Sequence, residues 1–303
     1  MTILNQDKVI AKRPLIIVNQ KGRFANQVFQ AMLAFEIASR VPDADIYGID
    51  IKEINLNFPK HENIQGLNLI HLARHTFNLD FASYLIRNNI FDGIQIDGYG
   101  MDLSHFVNLD LYKNKFSFSG NPTKISDEEV LISIRAGDIL SGWHPKYFPL
   151  QFDFYEKIIQ EIGLNPVFVG EMQDNEYIKA LKNKFSDAKF LPASSYFMDD
   201  FETIRQAKNI VLSISSFAFL AAYLSKASKI HMPVAGLYDP RTKTFKANLL
   251  PISDERYNFY HTNFLPLNER PITNIDEWFH LPSDFKKLSR EQVCQIIRDG
   301  FFK

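Results

Sequence analysis

Arg135 and Asp138 stand three residues apart around Gly137, directly after the apolar run Val130-Leu131-Ile132-Ser133-Ile134. A guanidinium offers a planar fork of donors suited to phosphate oxygens. A carboxylate can take a proton, and a glycine lets the backbone turn sharply or come close to a ligand. The apolar run is long enough for a buried strand and too short for a helix. Arg135 and Asp138 therefore fall just past the C-terminal end of a core strand, the edge at which open α/β sheets bind ligands. The same two residues also read as an ion pair that closes a turn.

Two more turns of this kind occur. Residues 14–19 read as a buried strand, followed by the loop Gln20-Lys21-Gly22-Arg23-Phe24-Ala25 and a helix over residues 26–40, with Asn26 as its cap. A strand, a glycine turn and a helix aim backbone N–H groups at an anion. Residues 210–214 read as another strand, then Ser215-Ser216 as a turn and residues 217–227 as a helix rich in Ala and Leu. Together the three turns offer two arginines, an amide, two hydroxyls and helix N-termini, an inventory for a diphosphate such as that of a nucleotide sugar. No Gly-Lys-Ser/Thr phosphate loop is present. The later glycines of a dinucleotide fingerprint are missing after Gly22, although Asp50, at the end of a strand over residues 45–49, could imitate its ribose-binding acid. Asp43-Ala44-Asp45 is a literal Asp-x-Asp, a metal-holding pattern in some sugar transferases and also an ordinary turn after Pro42. His61, His71, His75 and His105 lack metal-ligand spacing and read as surface or structural histidines.

The elements that must position these groups alternate strand and helix most clearly in the second half. Strands are expected at 130–134, 166–169, 189–191, 210–214 and 229–232, and helices at 152–163, 175–185, 199–209 and 217–227. That rhythm means an α/β fold with a parallel sheet and right-handed crossovers. In the first half a helix over 77–88 and a strand over 94–97 repeat it less clearly, and residues 240–271 read as loop. Ser289 opens a terminal helix, with Gln292 reaching back as in a capping box. The 303 residues favour two domains, divided in the Gly-, Pro- and polar-rich stretch 117–129: residues 1–125 and residues 126–303. Two such domains facing each other would leave a cleft between their strand C-terminal edges.

Composition narrows the classes. A hydrophobic fraction of 46%, a charged fraction of 23% and a net charge of -1 describe a soluble globular chain with no global field for nucleic acid or an anionic membrane. The single cysteine, Cys294, excludes an internal disulfide framework. No apolar run reaches the ~18 residues of a membrane span, and the polar N-terminus lacks the core of a secretory signal. A cytoplasmic location follows as the expectation, free or peripheral to a membrane.

The motifs Gly22-Arg23-Phe24-Ala25-Asn26-Gln27, Arg135-x-Gly137-Asp138, and Asp199-Asp200-Phe201 with Asn209-Ile210 and Ser215-Ser216-Phe217 resemble, in order, the three motifs of the α-1,2-fucosyltransferase family. That family stands with the α-1,6- and protein O-fucosyltransferases. The similarity runs over most of the chain to about Pro233. It implies a GT-B fold, two Rossmann-like domains facing across a cleft. It also implies GDP-fucose as donor, a glycan acceptor, an inverting mechanism, and neither metal nor other cofactor. Carried over by position, Arg135 supports departure of the diphosphate, and Gly22, Arg23 and Asn26 lie at the sugar-diphosphate. Asp200 lies near the purine base, and Ser215, Ser216 and Phe217 lie on the phosphate side. Ser133 stands where the family has histidine, and Ala136 where it has a second arginine. With those changes GDP-mannose becomes a second donor, and a non-catalytic nucleotide-binding relic a further reading. An oxidoreductase with a degenerate dinucleotide site is the other class considered.

The expected chemistry is displacement at the anomeric carbon, with Arg135 stabilising the charge that builds on the diphosphate. Asp138 is the first candidate for general base. His144 and Glu171, each just past a core strand, are the next, and Trp143 is a candidate for stacking on a sugar.

Overall fold

The computed structural model describes residues 13–107, 109–141, 147–242, 247–262 and 275–301. They form two compact units. One takes in the described residues up to Lys52 together with Leu56–Gly100, and the other takes Glu53–Asn55 and the described residues from Met101 on. Each unit is α/β and built on a parallel sheet, the expected fold class.

In the first unit β1 (Leu15–Val18) is buried at all four positions. An apolar run without alternation marks a strand covered on both faces. Helix α1 (Phe24–Arg40) follows, with Arg23 in the capping position and no side-chain cap. Asn26 is therefore not the helix cap. Phe24 and Ala25 are 8% and 3% exposed. Their burial starts the helix ahead of the best capping side chain, because packing outweighs terminal propensity.

Strand β2 (Asp45–Tyr47) stops at Gly48, whose φ is 81°. A Cβ on Gly48 would lie 2.3 Å from the Val18 carbonyl oxygen, so only glycine passes there. The chain then makes an antiparallel ribbon of β3 (Ile49–Ile51) and β4 (Leu56–Phe58). Asp50 thus sits in the ribbon opposite Asn57 rather than at the end of a sheet strand, and its backbone exchanges hydrogen bonds of 2.6 and 2.8 Å with the Gln20 side chain. The imitation of a ribose-binding acid fails on that geometry. Strand β5 (Leu69–Leu72), α2 (Leu79–Arg87, capped by Asn78) and β6 (Gly93–Ile96) complete the unit. The sheet order is β2-β1-β6-β5, all parallel.

The second unit opens with α3 (Leu109–Lys115) and β7 (Glu129–Ile134). Helix α4 (Phe152–Ile162) ends at Gly163 in the left-handed conformation, then β8 (Asn165–Gly170) and α5 (Glu176–Lys184, capped by Asn175) follow. Next come β9 (Lys189–Phe190), α6 (Phe197–Gln206), β10 (Asn209–Val211), α7 (Ser216–Tyr223) and β11 (Lys229–Val234). Strand β12 (Tyr257–His261), α8 (Ile275–His280), β13 (Lys286–Leu288) and α9 (Arg290–Phe301) close the chain. Seven strands lie in the order β13-β12-β11-β10-β7-β8-β9, parallel except for β13 at the edge.

Strand β7 is interior to the sheet, with Val130, Leu131 and Ile132 wholly buried; each such side chain contributes about 1.5–3 kcal/mol. The capping box forms as expected: the Ser289 N–H donates to Gln292 Oε1 at 2.8 Å, and the Gln292 N–H to Ser289 Oγ at 3.3 Å. Strand β12 lies inside the stretch expected to be loop.

The division between units falls at Gly100 and Met101 rather than at residue 125. The intervening residues are bonded into the second unit. The Leu103 N–H donates to the Asn248 carbonyl at 2.8 Å, and the Asn121 N–H to Asp199 Oδ1 at 2.7 Å. Phe118 packs on Phe201 with ring centroids 5.2 Å apart. Polar, Pro-containing composition marks a surface path here, and side-chain contacts decide which core it belongs to. Among the described residues no helix is long and apolar enough to cross a membrane.

Candidate functional site

In the second unit the chain leaves β7 at Arg135, between the parallel neighbours β8 and β10. Arg135 Nη2 donates to Asp138 Oδ1 at 2.8 Å, and Nε lies 3.5 Å from Glu171 Oε2. The guanidinium carbon is 5.6 Å from the centroid of the Tyr147 ring, within cation–π reach. The Arg135 side chain is 14% exposed, so its charge is matched by carboxylates rather than by bulk water.

Glu171 does more than face the arginine. Its Oε2 accepts the consecutive backbone N–H groups of Ala136 and Gly137, at 2.9 and 2.7 Å. Successive N–H groups aimed at one point form an anion-binding concavity, and here a side-chain carboxylate lies in it. Gly170, with φ 117°, delivers Glu171 to that place; a Cβ there would lie 2.5 Å from the Ile134 carbonyl oxygen. Asn175 fastens the loop from the other side, donating from Nδ2 to the Ala136 carbonyl at 2.8 Å while capping α5.

The third turn is tied to the first. Ser215 caps α7, its Oγ accepting the Ala218 N–H at 3.4 Å. The single O–H of Tyr238 lies within reach of the carbonyls of Ser213 and Ser215, at 2.9 and 2.8 Å, and its oxygen accepts the Ser215 N–H at 3.1 Å. Burial pushes the Tyr238 phenol well above its ordinary range, so it acts as a neutral brace. Ser133 Oγ accepts the Ser213 N–H at 2.8 Å and donates to the Val211 carbonyl at 3.2 Å. The position where the resembled family has histidine is thus a buried tie between neighbouring strand ends. Ser216 is the first residue of α7, and the Phe217 ring meets Phe201 and Phe197 at 5.3 and 6.1 Å. Asp200, on α6, is pushed up to about 6 by burial and then by the charge of Asp199.

The first unit carries Gly22, Arg23 and Asn26. Gly22 has φ 80°, and a Cβ on it would lie 2.6 Å from Asn26 Nδ2 and 3.0 Å from the Tyr99 ring. Gly22 and Asn26 are therefore in close contact, with Arg23 between them at the start of α1. Gln30 laces the loop to the sheet, accepting the Lys21 N–H at 3.0 Å and donating to the carbonyls of Asn19 and Gly98.

The same sheet edge holds a polar cluster built around Asp97. Its Oδ1 accepts from Asn19 Nδ2 at 2.5 Å and from Gln95 Nε2 at 2.8 Å, and its Oδ2 accepts from His71 Nδ1 at 2.9 Å. Asn19 follows β1, Gln95 is in β6, Asp97 follows that strand, and His71 is in β5, paired in register with Gln95. Burial works against the charge on Asp97, and the bonds from Gln95, His71 and Asn19 more than offset it, holding the carboxyl below its usual range. With a carboxylate as partner, the imidazole carries its proton on Nδ1.

The structure thus brings Arg135, Asp138, Glu171 and Ser215 to one edge of the second sheet, and Gly22, Arg23 and Asn26 to one loop of the first unit. Trp143 and His144 lie outside the described residues. Asp43 has φ 63° in the turn before β2, and Asp45 pairs with Arg13 at 3.0 Å, which fits the ordinary-turn reading of Asp-x-Asp.

Neither a protein-family model nor a curated protein matches the chain. Among solved structures it is similar to the E. coli heptosyltransferase WaaC with ADP, at 11% sequence identity and a TM-score of 0.38, over 94% of this chain and 97% of that one. A likeness at that level leaves function to be read from the chain's own residues. The His71–Asp97 pair is what sequence reasoning missed. Asp-x-x or His-x-x spacing cannot reveal partners that meet across neighbouring strands; the usable signal was polar residues at the ends of apolar runs, in Gln95-Ile96-Asp97 and Val18-Asn19.

Proposed function

We propose that the chain is an inverting, metal-independent glycosyltransferase of GT-B type that moves a sugar, fucose from GDP-fucose first, to a glycan hydroxyl in surface polysaccharide or glycan synthesis. The observation that carries the reading is Arg135 at the end of the buried interior strand β7 of the second unit, with Ser133 of the same strand tied to Ser213 just ahead of the capped Ser215 turn. A fixed cation beside a capped helix start is what a leaving diphosphate needs. In the proposed reaction the bond from the anomeric carbon to the phosphate oxygen breaks and the electron pair leaves with the diphosphate. Arg135 takes up that charge. The acceptor oxygen bonds to the opposite face of the carbon and loses its proton to a base. Asp200 accepts N–H groups of the purine, Ser216 and Phe217 line the phosphate side, and Gly22, Arg23 and Asn26 serve the sugar-diphosphate.

Calorimetric titration of the full chain with GDP and NAD, followed by turnover of GDP-fucose and GDP-mannose, tests this. Binding of GDP but not NAD, with turnover of either donor, is expected. NAD binding in place of GDP would overturn the transferase reading in favour of an oxidoreductase, and GDP binding without turnover of any donor would leave a relic.

A further inference from the structure

We infer that Tyr196 and Phe197, at the head of α6, form a stacking platform for the guanine base of the donor, with Asp200 accepting the N–H groups on the edge of that base; the inference rests on the nucleotide-sugar reading above and lies wholly within the second unit. Helix α6 opens on two aromatic residues that packing leaves exposed. Met198 and Phe201 are wholly buried, whereas Tyr196 and Phe197 are 38% and 40% exposed. Tyr196 stands in the capping position and gives no side-chain cap, where a short polar side chain would hold the helix end better. Local rules are broken in this way at functional sites. A lone exposed ring needs no explanation. These rings form a row instead. Tyr196 meets Phe197 at 5.6 Å, Phe197 meets Phe217 at 6.1 Å, and Phe217 meets the buried Phe201 at 5.3 Å.

Phe217 follows Ser216 at the start of α7, so its contact with Phe197 brings the head of α6 to the C-terminal end of β10, the neighbour of β7. The two acids that follow the aromatic pair are treated oppositely. Asp199 is engaged at both oxygens: Oδ1 accepts the Asn121 N–H at 2.7 Å, and Oδ2 accepts from the Ser194 hydroxyl at 3.1 Å. Asp200 is half-buried, and no hydrogen bond reaches it among the described residues. It shares a side of α6 with Phe197, three residues before it. Burial, and then Asp199, pushes its carboxyl up to about 6, the state of a carboxylate without a donor. A planar base stacks on an aromatic face whatever its edge carries. The edge decides which base. Guanine presents two adjacent donors, N1–H and the 2-amino group, to a carboxylate. Adenine sets its N1 lone pair there and leaves the charge unpaired.

The test titrates the full chain with GDP, ADP and inorganic pyrophosphate. Phe197→Ala should weaken GDP binding by roughly 10- to 100-fold and leave pyrophosphate affinity unchanged, because the ring touches only the base. Phe197→Trp should keep the wild-type GDP affinity, with the introduced indole quenched by GDP and not by pyrophosphate. Asp200→Asn should erase most of the preference for GDP over ADP. Wild-type GDP affinity in Phe197→Ala, an equal loss for GDP and pyrophosphate, or a wild-type chain that binds ADP as tightly as GDP would overturn the guanine platform and leave the diphosphate site intact. A wild-type chain that binds neither GDP nor pyrophosphate would remove the nucleotide-sugar reading, and the platform with it.

Discussion

The C-terminal edge of the second sheet is centred on a cation ringed by acceptors: Arg135 between Asp138 and Glu171. The corresponding edge of the first sheet is centred on an anion ringed by donors: Asp97 under Asn19, Gln95 and His71. Both occupy the place where parallel α/β sheets bind ligands, and they are chemical opposites. One presents a guanidinium matched by carboxylates, the other a carboxylate matched by neutral and imidazole donors. In an ion-pair network that serves only stability, neither the paired N–H groups on Glu171 nor the double anchoring of the Asp97 oxygens would be required. In the proposed transfer the leaving diphosphate belongs to the edge that carries the cation.

The strongest way to break that assignment is at the cation. Arg135→Lys keeps the charge and loses the planar fork, and it should lower transfer by roughly 10² to 10³. A variant that turns over donor at the wild-type rate would take the phosphate away from this edge. Next is the backbone that delivers Glu171. Gly170→Ala sets a methyl against the Ile134 carbonyl at a φ of 117° and should cost about 3 kcal/mol in denaturant unfolding. Gly163→Ala, at φ 69° with nothing within 4 Å of the added carbon, should cost only about 1 kcal/mol. Equal costs would show that the close approach at Gly170 is not a constraint.

Glu171→Gln sharpens the comparison rather than breaking it. The amide oxygen can still accept the Ala136 and Gly137 N–H groups, and one of the two negative charges facing Arg135 is gone. GDP affinity should rise by about fivefold, close to 1 kcal/mol. Weaker binding in that variant would make Glu171 a loop-fixing group whose charge helps the site.

How far the two edges were legible in the amino-acid order follows from what made them. Arg135 could be read because β7 is an unbroken apolar run ended by Arg-Ala-Gly-Asp, and Ser215 because a hydroxyl pair precedes an Ala- and Leu-rich helix. Both signals are local. His71 and Asp97 meet only through the pairing of β5 with β6, and Leu-Ile-His-Leu is too short and too weakly patterned to mark a strand. Strand β12 was hidden for a similar reason, since Tyr-Asn-Phe-Tyr-His places polar atoms on a strand with three buried positions. The Asn26 cap and the residue-125 boundary failed differently. In each, a local preference was overridden by packing, of Phe24 and Ala25 in one and of Phe118 on Phe201 in the other.

The smallest expected effect sets one aspartate of each unit against the other. Asp97 is held below the usual carboxylate range by three donors despite burial, whereas Asp200 is pushed up to about 6 by burial and by Asp199. The signs follow from which state binds protons more tightly. For Asp97 the unfolded chain does, so its charge stabilises the fold above the ordinary carboxylate range, and that stability is lost as pH falls through the lowered folded value. For Asp200 the folded chain does, so stability rises as pH falls from about 6 toward the unfolded value of 3.8, and at pH 7 the charged form is a cost. Asp97→Asn should therefore destabilise at neutral pH. Asp200→Asn should stabilise there by about 1 kcal/mol, a figure reduced from the full shift because the carboxyl is partly solvated. That gain should shrink as the pH is lowered through 6 and be absent by 3.8. If Asp200 accepts the N–H groups of a purine, the same variant should bind GDP more weakly while unfolding at higher denaturant. Parallel pH series of urea melts and GDP titrations on the two variants read both signs, and a loss of stability in Asp200→Asn at neutral pH would show that its charge is compensated by a contact rather than strained by burial.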